Sequence, residues 1–498
     1  MVNDLAVDCR PCGVVKAILK SPNREREQMI TLTVQDKDRL DDESFLKLLM
    51  GEIPASAKDK KGQISTKVAM NCGIYAVPVS KKLPWMSLAN IPQELIDDIK
   101  NDKKPQNRYY IAKFESWNVG FIRPVCRIIQ HIGEAGNLEA ESLRILKTHD
   151  VWSDEYETQG QKLNEKVHES LRVFTKHIDE ATGEWRIPQE EIKLRLDLRH
   201  KRIFTIDPIT AKDLDDALSI EKITDRIYEI GVHIADVSYF VQQGTELDKE
   251  AQLRCTSVYF VHRVYPMLPR LLCERLCSLN PQVDRLSYSI FFHLDIKTGE
   301  IDRSFKPKLA RTVMRSCAKW NYQLVQDILD KKITREDQLP EQYKPKEQKF
   351  EDMVADCFLM HEIAQKRRAK RLENGSIMLS NREFMFNLDP ETTLPQSFVE
   401  SKTRMPSKHL VEEYMLLANI LVAEHLYTYC NDKTLLRVHP DLDKEKKELL
   451  QEYYEKVGLK GTIDLTNSKT LSTSLEILKS QGDSGRFNVA MRKFLTCL

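Results

Sequence analysis

The sequence TIDPITAKDLDDALSI, residues 205–220, places four aspartates within ten positions: Asp207, Asp213, Asp215 and Asp216. Apolar runs flank this cluster, with RIFTI before it and ALSI after it, so the charges lie beside segments that are expected to be buried. Carboxylates at short range repel one another and raise one another's pKa. The pattern therefore predicts that a positive partner lies among them.

A divalent metal ion is one such partner. Mg²⁺ takes oxygen ligands and keeps waters and substrate phosphates in its shell, so it needs only a few protein carboxylates. Asp207 ends a predicted strand, Pro208 stiffens the chain after it, and the other three aspartates return before the next strand. Such a site suits phosphoryl chemistry, because the ion lowers the pKa of a bound water and neutralises charge on the phosphate.

Two other interpretations of the cluster remain open at this point. Most charge runs are solvated, and composition alone favours a solvated acidic turn over a metal site. An EF-hand calcium loop is the second alternative, but its D-x-[DN]-x-[DN]-G pattern with a distal glutamate is missing.

The segments before the cluster predict two regions. Between residues 12 and 150, polar turns separate short runs rich in Val, Ile, Tyr and Phe, namely GVVKAIL, QMITLTV, GIYAVPV, RYYIAKFESW and VGFIRPVCRII. With the short helical segment PQELIDDIK, these strands suit a small β-barrel of the OB type, although a sandwich has the same pattern. Residues 151–200 contain NEKVHESLRVFTKHI and PQEEIKLRLDLRH, which predict a helical linker.

Residues 201–498 predict a mixed α and β domain around one core. The strand candidates are RIFTI, DALSI, IYEIGVHIADVSYFV and RLSYSIFFHLDI. Thr245, followed by Asp248 three residues on, predicts the start of a helix. Two longer helices are predicted in FEDMVADCFLMHEIAQKRRAKRLENG, which Gly375 closes, and in HLVEEYMLLANILVAEHLYTYC.

Composition limits the function classes. The chain has 498 residues with 76 basic and 75 acidic side chains, so a basic footprint for nucleic acid is absent at whole-chain level. Eleven scattered cysteines predict a reducing compartment. No apolar run approaches the roughly 20 residues of a membrane span. We therefore expect a soluble, intracellular protein.

Ordered motifs around the cluster resemble a known enzyme family. DPITAKDLDDA is followed by GVHIADVSYFV, GTELDKEA, TSVYFV and PMLPRLLCERLCSLNP, and later by RTVMRSCAKWNY, ENGSIML and HLVEEYMLLANILVAEHL. Their order and spacing resemble the catalytic domain of RNase II-type (RNB) exoribonucleases. The resemblance looks closest to the eukaryotic Dis-three-like branch, in its second, cytoplasmic, exosome-independent type. Residues 195–498 carry it most strongly, and residues 12–150 resemble the family's second cold-shock (OB) domain.

The resemblance implies an α+β multidomain protein. An OB-like RNA-binding barrel at 12–150 and a helical linker at 151–200 precede an RNB catalytic domain at 201–498 that is incomplete at its C-terminus. The implied enzyme degrades single-stranded RNA from a free 3′ end, processively, to nucleoside 5′-monophosphates. Its implied cofactor is Mg²⁺, with Mn²⁺ as the alternative. We expect a monomer that acts in cytoplasmic RNA decay and has no membrane partner.

Roles for the aspartates follow from the same resemblance. Asp207 and Asp216 match the principal Mg²⁺ ligands of the family, and Asp213 completes the acidic cage. Asp215 matches the aspartate on which turnover most depends.

Two RNA contacts are implied in the same way. Tyr259, in TSVYFV, matches an aromatic residue that stacks near the 3′-terminal nucleotides. Stacking tolerates every base and is worth about 1–3 kcal/mol. Glu412, in LVEEY, matches a glutamate near the terminal nucleotide. Without the resemblance, the first is interpreted as a core tyrosine and the second as a helix-surface acid.

Three further features have no implied role. Asp236, in HIADVSYF, either supports the aspartates or caps a turn. His233 lies in an apolar strand, which is typical of a hydrogen-bonded core histidine. The basic run at 366–371 faces either RNA phosphates or solvent.

One motif of the family is not found in the sequence. The pattern T-S-P-I-R-R-[YF]-x-D carries an arginine that engages the phosphate in RNB enzymes. The first cold-shock domain and the S1 domain are not found either, so we expect a truncated chain with little or no activity. The alternatives are the catalytic subunit of the RNA exosome, a non-catalytic RNA-binding remnant, and a cation-binding module unrelated to RNA.

Overall fold

A computed structural model describes most of the chain in two compact units. The units are Met1–Thr158 with Val258–Tyr265, and Gln159–Ser257 with Pro266–Leu498. The described residues are 27–34, 74–81, 83–89, 91, 93–101, 107–117, 123–149, 151, 165–376, 384–389, 394–400, 405–438, 444–459, 463–480 and 490.

The described residues form strands β1–β16 and helices α1–α11. The strands are β1 Glu27–Val34, β2 Ile74–Pro78, β3 Met86–Ala89, β4 Arg108–Ser116, β5 Val125–Glu134, β6 Leu196–Asp197, β7 Phe204–Asp207, β8 Asp216–Lys222, β9 Ile227–Ala235, β10 Val258–Tyr259, β11 Val264–Tyr265, β12 Asp284–Asp295, β13 Lys308–Arg315, β14 Ala318–Asn321, β15 Phe384–Leu388 and β16 Pro395–Glu400. The helices are α1 Gln93–Lys100, α2 Leu138–Thr148, α3 Glu165–Thr175, α4 Gln189–Leu194, α5 Val237–Phe240, α6 Glu246–Arg254, α7 Tyr322–Leu329, α8 Phe350–Glu373, α9 Pro406–Cys430, α10 Lys444–Lys456 and α11 Ser468–Ser480.

A closed five-stranded barrel forms the centre of the first unit. Its strands follow the order β1-β2-β3-β5-β4, and their inward residues, such as Ile30, Ile74 and Cys126, make its core. The predicted OB-like barrel is therefore confirmed. β3 was not predicted, and the strand predicted in GVVKAIL lies outside the described residues.

A seven-stranded mixed sheet forms the centre of the second unit. Its strand order is β14-β7-β8-β9-β12-β13-β6, with antiparallel neighbours from β7 to β13 and one parallel neighbour at each edge. Helices α7, α8 and α9 cover one face of the sheet. Trp320 of β14 and Tyr414 of α9 are both fully buried there, and the Tyr414 hydroxyl donates to the Met360 carbonyl at 2.7 Å. The prediction of an OB-like domain followed by a mixed α/β domain is confirmed.

A buried polar ladder crosses the other face of this sheet. His233 contacts the hydroxyls of Ser219, at 2.9 Å from Nε2, and Ser289, at 2.8 Å from Nδ1. Thr312 Oγ1 continues the ladder 2.7 Å from the Ser289 hydroxyl. Burial lowers the pKa of His233 to about 3, so the ring is neutral. His233 is therefore the hydrogen-bonded core histidine that the sequence indicated.

The basic run on α8 holds the helix against the rest of its unit. The Lys366 ammonium donates to the Ile296 carbonyl at 2.6 Å, and the Arg367 guanidinium donates to the Gly299 carbonyl at 2.9 Å. Arg371 pairs with Glu413, which is buried on α9. These contacts do not fit a freely solvated helix face, and the RNA-facing interpretation of the run stays a prediction.

Two predicted segments end earlier than the sequence indicated. α4 stops at Leu194 because Arg195 turns inward and pairs with Asp236, 2.7 Å away, where both side chains are buried. The strand predicted in IYEIGVHIADVSYFV ends at Ala235 and is followed by the short helix α5. Local propensity carries no signal of this long-range ion pair.

Two smaller predictions are confirmed. Thr245 caps α6, its hydroxyl accepting from the Asp248 amide at 3.2 Å. Gly375 follows α8 with φ +94°, and a Cβ there would lie 2.6 Å from the Lys469 Cα. Among the described helices, none combines the length and the apolar composition needed to cross a bilayer.

Candidate active site

The four aspartates lie on the connection between two central strands. Asp207 is the last residue of β7, and Asp216 is the first residue of β8. Between them, Leu214 is fully buried, and its amide donates to the Ser278 hydroxyl at 3.0 Å. Because this anchor fixes the chain, the residues on either side of Leu214 project away from the core.

Further backbone contacts hold the same connection in place. The Leu279 amide donates to the Leu214 carbonyl at 2.9 Å, and the Ala235 amide donates to the Asp215 carbonyl at 2.9 Å. The Ser278 hydroxyl also donates to the Lys212 carbonyl at 2.9 Å. The connection is therefore fixed to the ends of neighbouring elements, as a site that positions charged groups requires.

Asp207 is the most perturbed member of the cluster. Burial, together with the charges of Asp216 and Asp215, raises its pKa to about 7, although Thr205 and the Lys319 ammonium act in the opposite direction. Within the described residues, its Oδ2 atom is buried and has no hydrogen-bond partner. A cation placed against this oxygen would stabilise its ionised form.

The neighbouring carboxylates share this environment. Burial and the charge of Asp215 raise the pKa of Asp216 to about 6. Asp215 is exposed on one side. Burial of its carboxyl group by protein atoms on the other sides, and the charge of Asp213, still raise its pKa. The structure thus brings Asp207, Asp215 and Asp216 within electrostatic range of one another, and Asp213 within range of Asp215.

Two residues beside the cluster were not identified from the sequence. Lys319 of β14 donates to the Ala211 carbonyl at 2.5 Å, so it ties the aspartate connection to the next strand and places a positive charge near Asp207. Burial and the charges of Asp216 and Asp207 raise the pKa of the Tyr322 hydroxyl to about 12. Both lie in the motif RTVMRSCAKWNY, but only the parallel pairing of β14 with β7 brings them to the aspartates.

The donor set fits a hard divalent cation. In the part of the chain that the structure describes, no group of three or more His, Cys, Asp or Glu side chains is already arranged to hold a metal ion. Mg²⁺ binds through one or two carboxylates and completes its shell with waters and substrate phosphates, so it does not require such a cage. The unpartnered oxygen of Asp207 and the neighbouring carboxylate of Asp216 are the groups that fit it best.

The two predicted RNA contacts lie on other elements. Tyr259 belongs to the β10–β11 hairpin, which is part of the barrel unit, and its side chain is 65% exposed. Glu412 lies on α9 in the second unit, where it accepts hydrogen bonds from Arg368 at 3.1 Å and Arg371 at 3.2 Å. The first is therefore not a core tyrosine, and the second is an ion-paired helix residue.

Asp236 has a structural role. Its carboxylate pairs with Arg195 and accepts a hydrogen bond from the Ser238 hydroxyl at 2.7 Å. It thus fixes the start of α5 and the end of α4. Asp236 stands at the N-cap of α5 but makes no side-chain capping hydrogen bond there, so both interpretations that the sequence left open stay predictions.

Comparisons with known proteins agree with this arrangement. A family model described as the RNB domain matches residues 195–497. The chain belongs to the RNB family. A second model, described as Dis3-like cold-shock domain 2, matches residues 74–150 within the barrel unit.

The relatives place the chain in one branch of that family. It is 36% identical over 443 residues to DIS3-like exonuclease 2 of Xenopus tropicalis, which covers 88% of this chain and 49% of the relative. It is also 36% identical over 366 residues to a protein of Arabidopsis thaliana named inactive exonuclease DIS3L2, over 73% of this chain and 32% of that one. The predicted resemblance is confirmed, and the chain spans about half the length of the first of these relatives.

A solved structure shows the same fold. Mycoplasma genitalium RNase R, in complex with ribose-methylated single-stranded RNA, superposes with a TM-score of 0.68 at 21% sequence identity. The match covers 97% of this chain and 63% of the RNase R chain.

Proposed function

We propose that this chain is the catalytic part of a 3′–5′ exoribonuclease that hydrolyses single-stranded RNA to nucleoside 5′-monophosphates. The observation that carries the proposal is the crowding of carboxylates at the junction of β7 and β8 inside an RNB domain. Burial and mutual repulsion raise the pKa of Asp207, Asp215 and Asp216, so these groups favour a divalent cation. A cation at this point also attracts the phosphate of a nucleic acid.

Each acidic residue has a distinct part in this proposal. Asp207 and Asp216 hold Mg²⁺, or Mn²⁺, which when bound supplies a water of lowered pKa and offsets the charge of the scissile phosphate. Asp215 presents an exposed carboxylate of raised pKa, which suits a group that accepts a proton from the attacking water. Asp213 adds to the local negative charge that favours the cation.

The RNA strand is held by groups outside the cluster. The exposed ring of Tyr259 offers a stacking surface for unpaired bases near the 3′ end. Glu412, fixed by Arg368 and Arg371, is proposed to contact the terminal nucleotide. Processive action by a monomer in cytoplasmic RNA decay is proposed on the resemblance to the DIS3-like branch.

The test uses the full chain with a 5′-labelled single-stranded RNA and Mg²⁺. We expect slow shortening from the 3′ end, because the arginine motif of the family is not found in this sequence, with release of nucleoside 5′-monophosphates and complete inhibition by EDTA. Asp215→Asn should abolish hydrolysis while RNA affinity changes less than about threefold, because the substitution keeps the side-chain shape. The matched control is Asp225→Asn, which changes an exposed aspartate paired with Lys222 at the far end of β8. Hydrolysis by Asp215→Asn at the rate of the unmodified chain would refute the assignment.

A non-catalytic RNA-binding role is the second candidate. It is favoured by the name of the Arabidopsis relative, inactive exonuclease DIS3L2. It predicts RNA binding without hydrolysis in Mg²⁺ or Mn²⁺. The same assay therefore separates the two candidates.

A further inference from the structure

One row of residues runs straight across the central sheet from the aspartate cluster. The strand register places Asp216 of β8 opposite Ile234 of β9, and Ile234 opposite Tyr288 of β12. Tyr288 in turn lies opposite Arg311 of β13. Residues directly opposite in antiparallel strands project from the same face, so a carboxylate, an aliphatic chain, an aromatic ring and a guanidinium form one line.

This row lies where the described helices no longer cover the sheet. The residues two positions away from the row on the same face, Leu218, Val232 and Ile290, are buried in the helix-covered core. Ile234 and Tyr288 are instead 41% and 42% exposed. The apolar surface of the row is therefore open to solvent beside the proposed metal ligand.

Arg311 ends the row with a positive charge. Its side chain is exposed, and within the described residues it pairs with no acidic group. Arg315, four residues further along β13, is by contrast paired with Asp284 at 2.8 Å. A free guanidinium beside an exposed aromatic ring suits a phosphate and a base of the same strand.

We propose that Ile234, Tyr288 and Arg311 form a subsite for the RNA strand on the 5′ side of the bond that is cut. Tyr288 stacks a base, Arg311 pairs a phosphate, and Ile234 fills the space towards Asp216. The proposal rests on the proposed exoribonuclease function and deepens it by naming the path of the substrate.

The geometry decides which side of the cut bond occupies the row. Neighbouring strands lie about 4.8 Å apart, so Tyr288 and Arg311 are about 10 and 14 Å from Asp216 across the sheet. Stacked nucleotides of one strand are about 3.4 Å apart, so the row spans about three or four nucleotides. A 3′ exonuclease leaves only one nucleotide on the 3′ side of the cut, so a track of this length must hold the 5′ side.

The first measurement is the affinity of the full chain for a 5′-fluorescein-labelled 12-nucleotide single-stranded RNA in EDTA, where no hydrolysis occurs. Tyr288→Ala should weaken binding about 5- to 100-fold, as loss of one base stack does. Tyr288→Phe should bind within about twofold of the unmodified chain, since it keeps the ring. Tyr288→Leu provides a second variant that keeps apolar bulk without a stacking surface, and it should bind as weakly as Tyr288→Ala.

The second measurement is the salt dependence of the same affinity. The logarithm of the binding constant falls as the logarithm of the salt concentration rises, and each phosphate contact on a single strand makes this slope steeper by about 0.7. Arg311→Ala should therefore make the slope shallower by about 0.7. Lys308→Ala is the matched control, because Lys308 is an exposed cation on the same strand that lies opposite buried Phe291 and so projects from the other face. The losses at Tyr288 and Arg311 should also shrink as the RNA is shortened to two nucleotides.

The outcomes separate this subsite from the proposed function. If the unmodified chain hydrolyses RNA but Arg311→Ala matches Lys308→Ala and Tyr288→Ala binds normally, the subsite is wrong and the function stands. If the chain binds RNA through these residues but never hydrolyses it, the subsite stands and the exoribonuclease proposal fails. If the unmodified chain does not bind the 12-nucleotide RNA, both are wrong.

Discussion

Replacement of Asp207 by asparagine should stabilise the metal-free protein at alkaline pH. The pKa of Asp207 is raised from 3.8 to about 7, mainly by burial. Between about pH 4 and pH 7 the folded chain therefore binds a proton that the unfolded chain has released, so stability falls as pH rises through this window. Asparagine has nearly the same shape and no charge, which removes the loss.

The size of the effect follows from the pKa shift. A rise from 3.8 to about 7 is roughly three units, which at about 1.36 kcal/mol per unit gives about 4 kcal/mol. Part of the shift comes from repulsion by Asp216 and Asp215, and coupled carboxylates share one proton-binding energy, so about 4 kcal/mol is an upper limit. We expect Asp207→Asn to gain about 2–4 kcal/mol over the unmodified chain at pH 8, and nothing at pH 4.

Urea unfolding in EDTA, followed by circular dichroism at pH 4 and pH 8, measures this gain. Asp225→Asn is the control, because Asp225 is fully exposed and should show no such pH-dependent gain. Addition of Mg²⁺ at pH 8 should stabilise the unmodified chain and leave Asp207→Asn nearly unchanged. A variant that is no more stable than the unmodified chain at pH 8, or one that Mg²⁺ stabilises equally, would refute the reasoning.

Three further predictions concern the metal, the RNA contact and the sheet. Mg²⁺ affinity, measured by calorimetry, should rise between about pH 5 and pH 8, because the ion displaces protons from carboxylates of raised pKa; a flat profile would contradict this. Tyr259→Ala should lengthen the final product of RNA digestion, seen on a sequencing gel, whereas Tyr259→Phe should not. At Gly231, a Cβ would lie 2.4 Å from the Ser219 hydroxyl and 2.8 Å from His233 Nε2, so Gly231→Ala should destabilise the fold by about 1–3 kcal/mol, as overpacking typically does. An unchanged midpoint of urea unfolding would contradict this prediction.

The sequence was sufficient to predict elements whose causes are local. Thr245 starts α6 and Gly375 ends α8 because a cap hydroxyl and a positive φ are requirements of single residues. The aspartates could be chosen because the four of them lie within ten consecutive positions between two apolar runs. The end of α4 at Leu194 could not be predicted, because it depends on an ion pair between Arg195 and Asp236, which are far apart in sequence.

The neighbours of the aspartates could not be predicted for the same reason. Lys319 reaches the cluster only because β14 pairs with β7 in parallel, across more than a hundred residues of chain. Its ammonium lowers the pKa of Asp207, but that pKa remains near 7, so one lysine does not balance the negative charge. We therefore propose that the positive partner predicted by the aspartate spacing is a divalent cation from outside the chain.

The same dependence on register explains why the proposed RNA track has no signature in the sequence. Its members stand at positions 216, 234, 288 and 311, and each taken alone is an ordinary strand residue. A shift of one residue in any of the three pairings would turn the side chains beyond that pairing to the opposite face of the sheet. That face carries the buried ladder of Ser219, His233 and Ser289, whose hydrogen bonds would be lost. The polar ladder therefore fixes the register that aligns Tyr288 and Arg311 with the aspartates, and in this way residues that do not contact substrate determine where the substrate lies.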